Sequence, residues 1–187
     1  MKVERYIEIN PTSVLLDGQP IKTSQTGEKM LVELYRRYVG DYPKFFKMDT
    51  LSRLGFIAAE MLMANDEGRM ANGEKRMAKV DAVVLANRSA SIKNDTDYLA
   101  TISDGNYYPS PALFVYTLPN IVTGEIAIRH HIQGETSFYI LDRPEDLEPI
   151  IQSTLAAHPK PMMLMAGWCE CCNKNEFNAK IQLIWNN

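Results

Sequence analysis

A chain of 187 residues has length for one domain with a substantial core and too little for two. Its net charge of −3 gives no electrostatic reason to expect DNA, RNA or an anionic membrane as a partner. No apolar run is long enough to span a bilayer, and the opening M-K-V-E-R-Y-I-E-I-N carries charges where a signal peptide would be apolar, so the cytoplasm is the expected location.

Arg5 to Leu16 reads as one or two short amphipathic strands, stopped by the turn signal D-G-Q-P at Asp17 to Pro20. Thr26 or Gly27 then opens a helix whose apolar positions, Met30, Leu31, Leu34, Tyr35 and Tyr38, recur at the helical period until Gly40 ends it. Thr50 to Ala64 is the strongest helix. Its buried stripe is Leu51, Leu54, Ile57, Ala58, Met61 and Leu62, and Gly55, Ala58 and Ala59 permit close packing. Asn65 to Lys79 is polar and reads as a surface excursion. Val80 to Ala86 is a continuous apolar run of strand length, as expected in a parallel sheet covered on both faces. The segment N-R-S-A-S-I-K-N-D-T leaves the C-terminal end of that strand, where open α/β sheets keep their sites.

Asp97 to Ser103 is expected as a short helix, followed by helical pieces at Ala112 to Leu118 and Ile121 to His131, divided by Pro119 and Asn120. Thr136 to Leu141 is β-branched and aromatic, which suits a buried strand. The chain then turns into a helix where Asp142 or Arg143 can cap and Pro144 pre-sets a helical φ. Asp142 and Glu145 stand at capping-box spacing. Met162 to Ala166 and Ala179 to Trp185 are further strands, the last with Ile181, Leu183 and Trp185 on one face. Strand and helix alternation makes one α/β domain. Cys169, Cys171 and Cys172 in W-C-E-C-C-N read as free thiols in a polar turn. Neither they nor His130, His131 and His158 have the spacing of a metal site, so no metal and no cofactor are expected.

Four segments together resemble the β-ketoacyl synthases, the condensing enzymes of fatty-acid and polyketide synthesis. P-A-L-F-V-Y-T-L-P-N-I-V-T-G-E-I-A-I-R-H-H-I-Q-G-E (Pro111 to Glu135) is similar to the approach to their active site. M-L-M-A-G-W-C-E (Met163 to Glu170) is similar to the strand and Gly-rich turn after the nucleophile helix. K-M-D-T-L-S-R-L-G-F-I-A-A-E-M-L-M matches an early helix of small residues, and V-V-L-A-N-R-S-A-S matches a strand leading to a Gly-rich loop. The resemblance covers most of the chain in the family's order. It implies an α/β fold in which residues 1–187 form a single thiolase-like half-domain, a mixed sheet covered by helices.

The same resemblance implies what is missing. A working synthase has two such halves, and the second brings the catalytic histidines, so none carries over to this chain. The nucleophilic Cys belongs near Asp142 and Arg143, where no cysteine stands. No catalytic residue is therefore assigned. Asn120 in the Pro-Asn turn and Arg143 at the helix start are the candidate ligand or anion contacts, for a carboxylate or a phosphopantetheine phosphate. In the family, Cys-less partners pair with an active synthase. The implied function is a non-catalytic accessory subunit of fatty-acid-like, polyketide or aryl-polyene synthesis, associating with itself, with a full-length condensing enzyme or with an acyl carrier protein. Thr136, Phe138 and Ile140 would form its interface, because an apolar strand edge needs covering.

The alternative is an acyl-binding protein or an enzyme using another site. Ser89, Ser91, Lys93 and Asp95 lie at a strand end, with Tyr107 and Tyr108 as pocket walls. Met61, Met63, Met162, Met163 and Met165 could form an acyl-binding face, although core packing is the commoner use of methionine.

Overall fold

The computed structural model describes residues 1–69, 75–77, 79–105 and 108–187. Strand β1 (Lys2–Asn10) turns through Pro11 and Thr12 into β2 (Ser13–Leu16), with Asn10 Oδ1 accepting from the amides of Thr12 and Ser13 at 2.9 and 3.0 Å. Asp17 and Gly18, both at positive φ (51° and 77°), then make the two-residue turn into β3 (Gln19–Pro20). This is the hairpin that D-G chemistry favours, so the sequence signal marks a reversal within the sheet and not its end.

Helix α1 (Gly27–Tyr38) buries Met30, Leu31, Leu34 and Tyr35, and a 3-10 turn, Pro43–Lys47, carries Phe45 into the same core. Helix α2 (Thr50–Met63) is capped by Asp49, whose carboxylate accepts from Ser52 N at 2.9 Å. It is buried along nearly its whole circumference because α1, the sheet and a later helix enclose it. Two paired strands follow, β4 (Ala64–Arg69) and β5 (Lys75–Met77), inside the segment expected as an excursion; residues 70–74 and 78 of that segment lie outside the described residues.

Strand β6 (Ala82–Asn87) is buried at every position, as its uninterrupted apolar run predicts. Helix α3 (Ile92–Leu99) begins five residues before the expected Asp97, close after the loop from β6, and α4 (Pro111–Phe114) is shorter than the expected helix. Ser91 Oγ lies 2.7 Å from Thr117 O and ties the segment after α4 to the start of α3. Helix α5 (Ile121–His130) ends at His131 in the left-handed region. Strand β7 (Thr136–Ile140), a 3-10 turn at Pro144–Leu147 and α6 (Glu148–Ala157) follow, and β8 (Met162–Asn173) and β9 (Glu176–Asn186) close the chain.

Seven strands form one mixed sheet in the order β3-β2-β1-β9-β8-β6-β7. Strands β8, β6 and β7 run parallel; the remaining pairs are antiparallel. Helices α1, α2 and α5 cover one face around Phe45, Phe56, Leu62, Ile181 and Leu183. The other face has a smaller core, Leu147, Ile151 and Leu155 against Val84, Leu164 and Trp168, covered by α6 and the turn before it. Trp185 keeps the face of Ile181 and Leu183, opposite Met163 in the ladder, but is only partly buried, while Ile184 enters the smaller core. Close approach of α2 and α5 depends on Gly55, where a Cβ would stand 2.3 Å from Val122 Cγ2.

The cysteines are a correction. Strand β8 runs through W-C-E-C-C-N, so Cys169 and Cys171 are buried sheet residues and not part of a polar turn. Their alternation with Glu170 puts both thiols on the larger core's face. Met61, Met63 and Met165 are core residues as well, and Met162 belongs to the smaller core.

Candidate functional site

Strand β7 lies at the edge of the sheet, beside β6 alone. It was expected to be buried. Phe138 is packed partly against the larger core and Tyr139 against the smaller one, whereas Thr136 and Ile140 are exposed, Ile140 to 52%. The ladder fixes which backbone groups are committed. Val83 N donates to Glu135 O at 2.8 Å and Leu141 N donates to Asn87 O at 2.9 Å, so the odd-numbered residues face β6. Alternation then turns the amides and carbonyls of Thr136, Phe138 and Ile140 to the open edge.

Past β7 the chain enters the junction that sequence singled out. Asp142 and Arg143 are both exposed. Arg143 occupies the capping position of the 3-10 turn but makes no capping hydrogen bond, and among the described residues the Asp142 carboxylate makes none either. The expected cap and capping box are therefore not formed. Pro144 does take the first position of the turn, as predicted. The intervening 3-10 turn places α6 at Glu148, so Asp142 lies beyond the first helical turn, where the dipole has faded. Arg143 Nη2 donates to Asp146 Oδ1 at 3.1 Å, and that bond, with the charges of Asp146, Glu145 and Asp142, pushes the guanidinium pKa up. Asn120, the other candidate contact, is exposed at the start of α5, where its carbonyl accepts from Gly124 N and Thr123 Oγ1. Helix α5 packs on one face of the sheet and the Arg143 turn on the other, so the two residues do not share a site.

The loop after β6 is more ordered than its composition implied. Glu170, buried on β8, accepts from Arg88 N (2.8 Å), Ser89 N (3.4 Å), Ser89 Oγ (2.5 Å) and Cys171 N (3.2 Å). Asn87 closes the turn by bonding both the amide and the carbonyl of Ala90 at 2.9 Å. Lys93 Nζ pairs with Asp97 at 2.5 Å, and Ser91 with Asp95 at 3.1 Å. No Ser–Lys pair is assembled: each candidate side chain holds a neighbour in place. Tyr107 lies outside the described residues, and Tyr108 is 90% exposed.

Cys172 is the one partly exposed thiol, 3.3 Å from Ser89 Oγ. Burial pushes the Cys171 thiol up to about 12 and the Cys169 thiol well above its ordinary value, so both stay protonated and unreactive. Among the described residues no group of three or more His, Cys, Asp or Glu side chains is placed to hold a metal ion. The three histidines are dispersed: His130 beside Glu60, His131 ending α5 and His158 Nδ1 2.9 Å from Thr154 O.

Sequence reading missed two buried ionic clusters beneath α5. Glu60 lies 3.0 Å from Arg129 Nε and 3.1 Å from His130 Nε2. Glu125 Oε2 lies 2.8 Å from Lys44 Nζ, in ion-pair contact without hydrogen-bond alignment, and Tyr116 donates to Glu125 Oε1 at 3.4 Å. Their signal was a carboxylate inside each apolar helix, A-A-E-M-L-M and G-E-I-A.

This mixed sheet with its helices has the fold seen in solved ketosynthase and chain length factor structures. The chain is similar to the solved structure of the ishigamide ketosynthase/chain length factor, with a TM-score of 0.66 and 15% identity, covering 98% of this chain and 61% of that one. It is also similar to a chain of the solved complex of the ketosynthase ApeO with its chain length factor ApeC from Xenorhabdus doucetiae, with a TM-score of 0.61 and 12% identity over 100% of this chain and 80% of that one. The chain thus spans less than two thirds of the first of these. No protein-family model matches it, and neither does any curated protein sequence. No helix among the described residues is long and apolar enough to cross a membrane.

Proposed function

We propose that this chain is a non-catalytic, ketosynthase-like accessory subunit that acts by association, through β7, with a second copy or with a full-length condensing enzyme of polyketide, fatty-acid-like or aryl-polyene synthesis. The observation that carries the reading is the bare edge of β7. Thr136, Phe138 and Ile140 present unpaired backbone groups there, and Thr136 to Leu141 contains no charge to repel a second strand. Antiparallel pairing of two such edges centred on Phe138 sets Thr136 of each copy against Ile140 of the other. The flanking Glu135 and Asp142 then fall opposite the uncharged Leu141 and Gly134, so no like charges meet. The catalytic side of the proposal is an absence of means: the junction after β7 offers Asp142, Arg143 and Pro144 where the family places a thiolate, and Cys169 and Cys171 are buried and protonated. An acyl carrier protein is the remaining partner the reading includes.

Analytical ultracentrifugation tests it, with the chain alone and with a ketosynthase co-expressed from the same source. Wild type should sediment as a dimer or as a heteromer. Phe138→Lys should weaken the complex at least about tenfold, by placing a charge where apolar surface is buried. Ile140→Lys, at a more exposed position, should do the same while leaving the fold intact. A monomer in both settings would sink the proposal.

A further inference from the structure

Segment 142–148, D-R-P-E-D-L-E, sets four carboxylates against one guanidinium. Its surplus of three negative charges equals the net charge of the whole chain, because the other nineteen acidic and nineteen basic residues cancel. The segment borders a cleft of about 590 Å³ between the turn leading into α6 and the uncovered face of β1 and β9. The size is that of a binding site. Trp168, Leu147, Ile151 and Gly167 form its floor, Trp168 being 9% exposed. Val3 and Tyr6, exposed to 44% and 37%, form the opposite wall. Glu8, Glu145 and Glu148 stand on the rim, and its one lysine, Lys180, is neutralised by Glu8 at 2.9 Å.

We infer that this cleft receives a segment of a partner polypeptide that carries an apolar anchor flanked by Lys or Arg. The inference rests on the reading of the chain as a subunit acting by association and adds a second surface, on the other face of the sheet from α5 and away from the edge of β7. An apolar floor calls for an apolar side chain, and a rim left net negative by Glu145 and Glu148 selects a positively charged partner and steers its approach. The acidic rim also disfavours the anionic ligand that Arg143 alone suggested, since Asp146 already holds that guanidinium.

Trp168 supplies the reporter. In full-length protein carrying Trp185→Phe it is the sole tryptophan. Its emission is followed while a designed amphipathic helix, Leu on one face and Lys on the other, is added, and again with Glu in place of Lys. The Lys helix should bind at least about tenfold more tightly than the Glu helix. The double variant Glu145→Lys/Glu148→Lys should lose about that factor, while Asp41→Lys, exposed beyond α1, should lose none. Equal binding of the two helices, or indifference to reversal of the rim, overturns the inference. Self-association abolished by Glu145→Lys/Glu148→Lys but not by Ile140→Lys also overturns it, in favour of a second copy of this chain. The titration needs no β7 contact, so a chain that sediments as a monomer refutes the strand-edge proposal without deciding this one.

Discussion

At the scale of single residues, ionisation separates groups that composition alone treats alike. Three thiols lie within four residues, yet only Cys172 is partly exposed, while burial raises the pKa of both Cys169 and Cys171. Iodoacetamide on native protein should therefore label Cys172 alone, and all three only after unfolding; rapid native labelling of Cys169 or Cys171, read by mass spectrometry, would contradict the burial. Glu60 shows the opposite balance. Burial works to raise its pKa, but the neighbouring His130 ring and the hydrogen bond and charge of Arg129 outweigh burial and hold it below the ordinary 4.5. A carboxyl depressed on folding stabilises above its unfolded value and loses that contribution as pH falls through its folded one. Urea unfolding of wild type should weaken below about pH 4.5, and Glu60→Gln should flatten that limb. At neutral pH the same variant should cost about 2–4 kcal/mol, by leaving Arg129 without its carboxylate partner. An unchanged acid limb in Glu60→Gln would show that other carboxylates govern it.

Elements were legible where one physical signal dominated. The apolar run of β6, the stripe of α2 and the D-G turn each specify a single local structure, and each is found. Three readings failed because distant partners decided them. The W-C-E-C-C-N segment looks polar, but pairing with β9 continues β8 through it. The helix expected at Asp97 starts at Ile92, directly after the loop that Glu170 and Asn87 hold. The composition of β7 suits a core strand; its place at the end of the sheet was expected from the family resemblance alone, and nothing local says so. That edge gives a test by parity. Ile140→Pro removes an amide that faces outward, so it should cost about 1 kcal/mol or less and abolish self-association. Tyr139→Pro removes an amide committed to β6 and should cost about 3 kcal/mol or more. Equal destabilisation by the two, measured in urea, would mean that the edge is not free.

For the whole molecule, the fold class was readable because the alternation of elements and four separate segments agreed on it, whereas the candidate site was readable only in part. Sequence order placed Thr136, Phe138 and Ile140 on one strand, but that their backbone groups face outward depends on the register with β6. It could not show that Asn120 and Arg143 sit on opposite faces of the sheet. The two ends of that sheet also differ in kind. Strand β7 offers five uncharged residues, while β3 at the far end is two residues long and finishes in Pro20, which has no amide to donate. Growth by strand addition is thus possible on one side only. Two copies joined β7 to β7 bury the one adhesive end of each and leave a β3 at both outer margins, so the assembly closes on itself and cannot become a fibre. Sedimentation over rising concentration should climb to the mass of two chains and stop; continued growth would place the adhesive surface elsewhere.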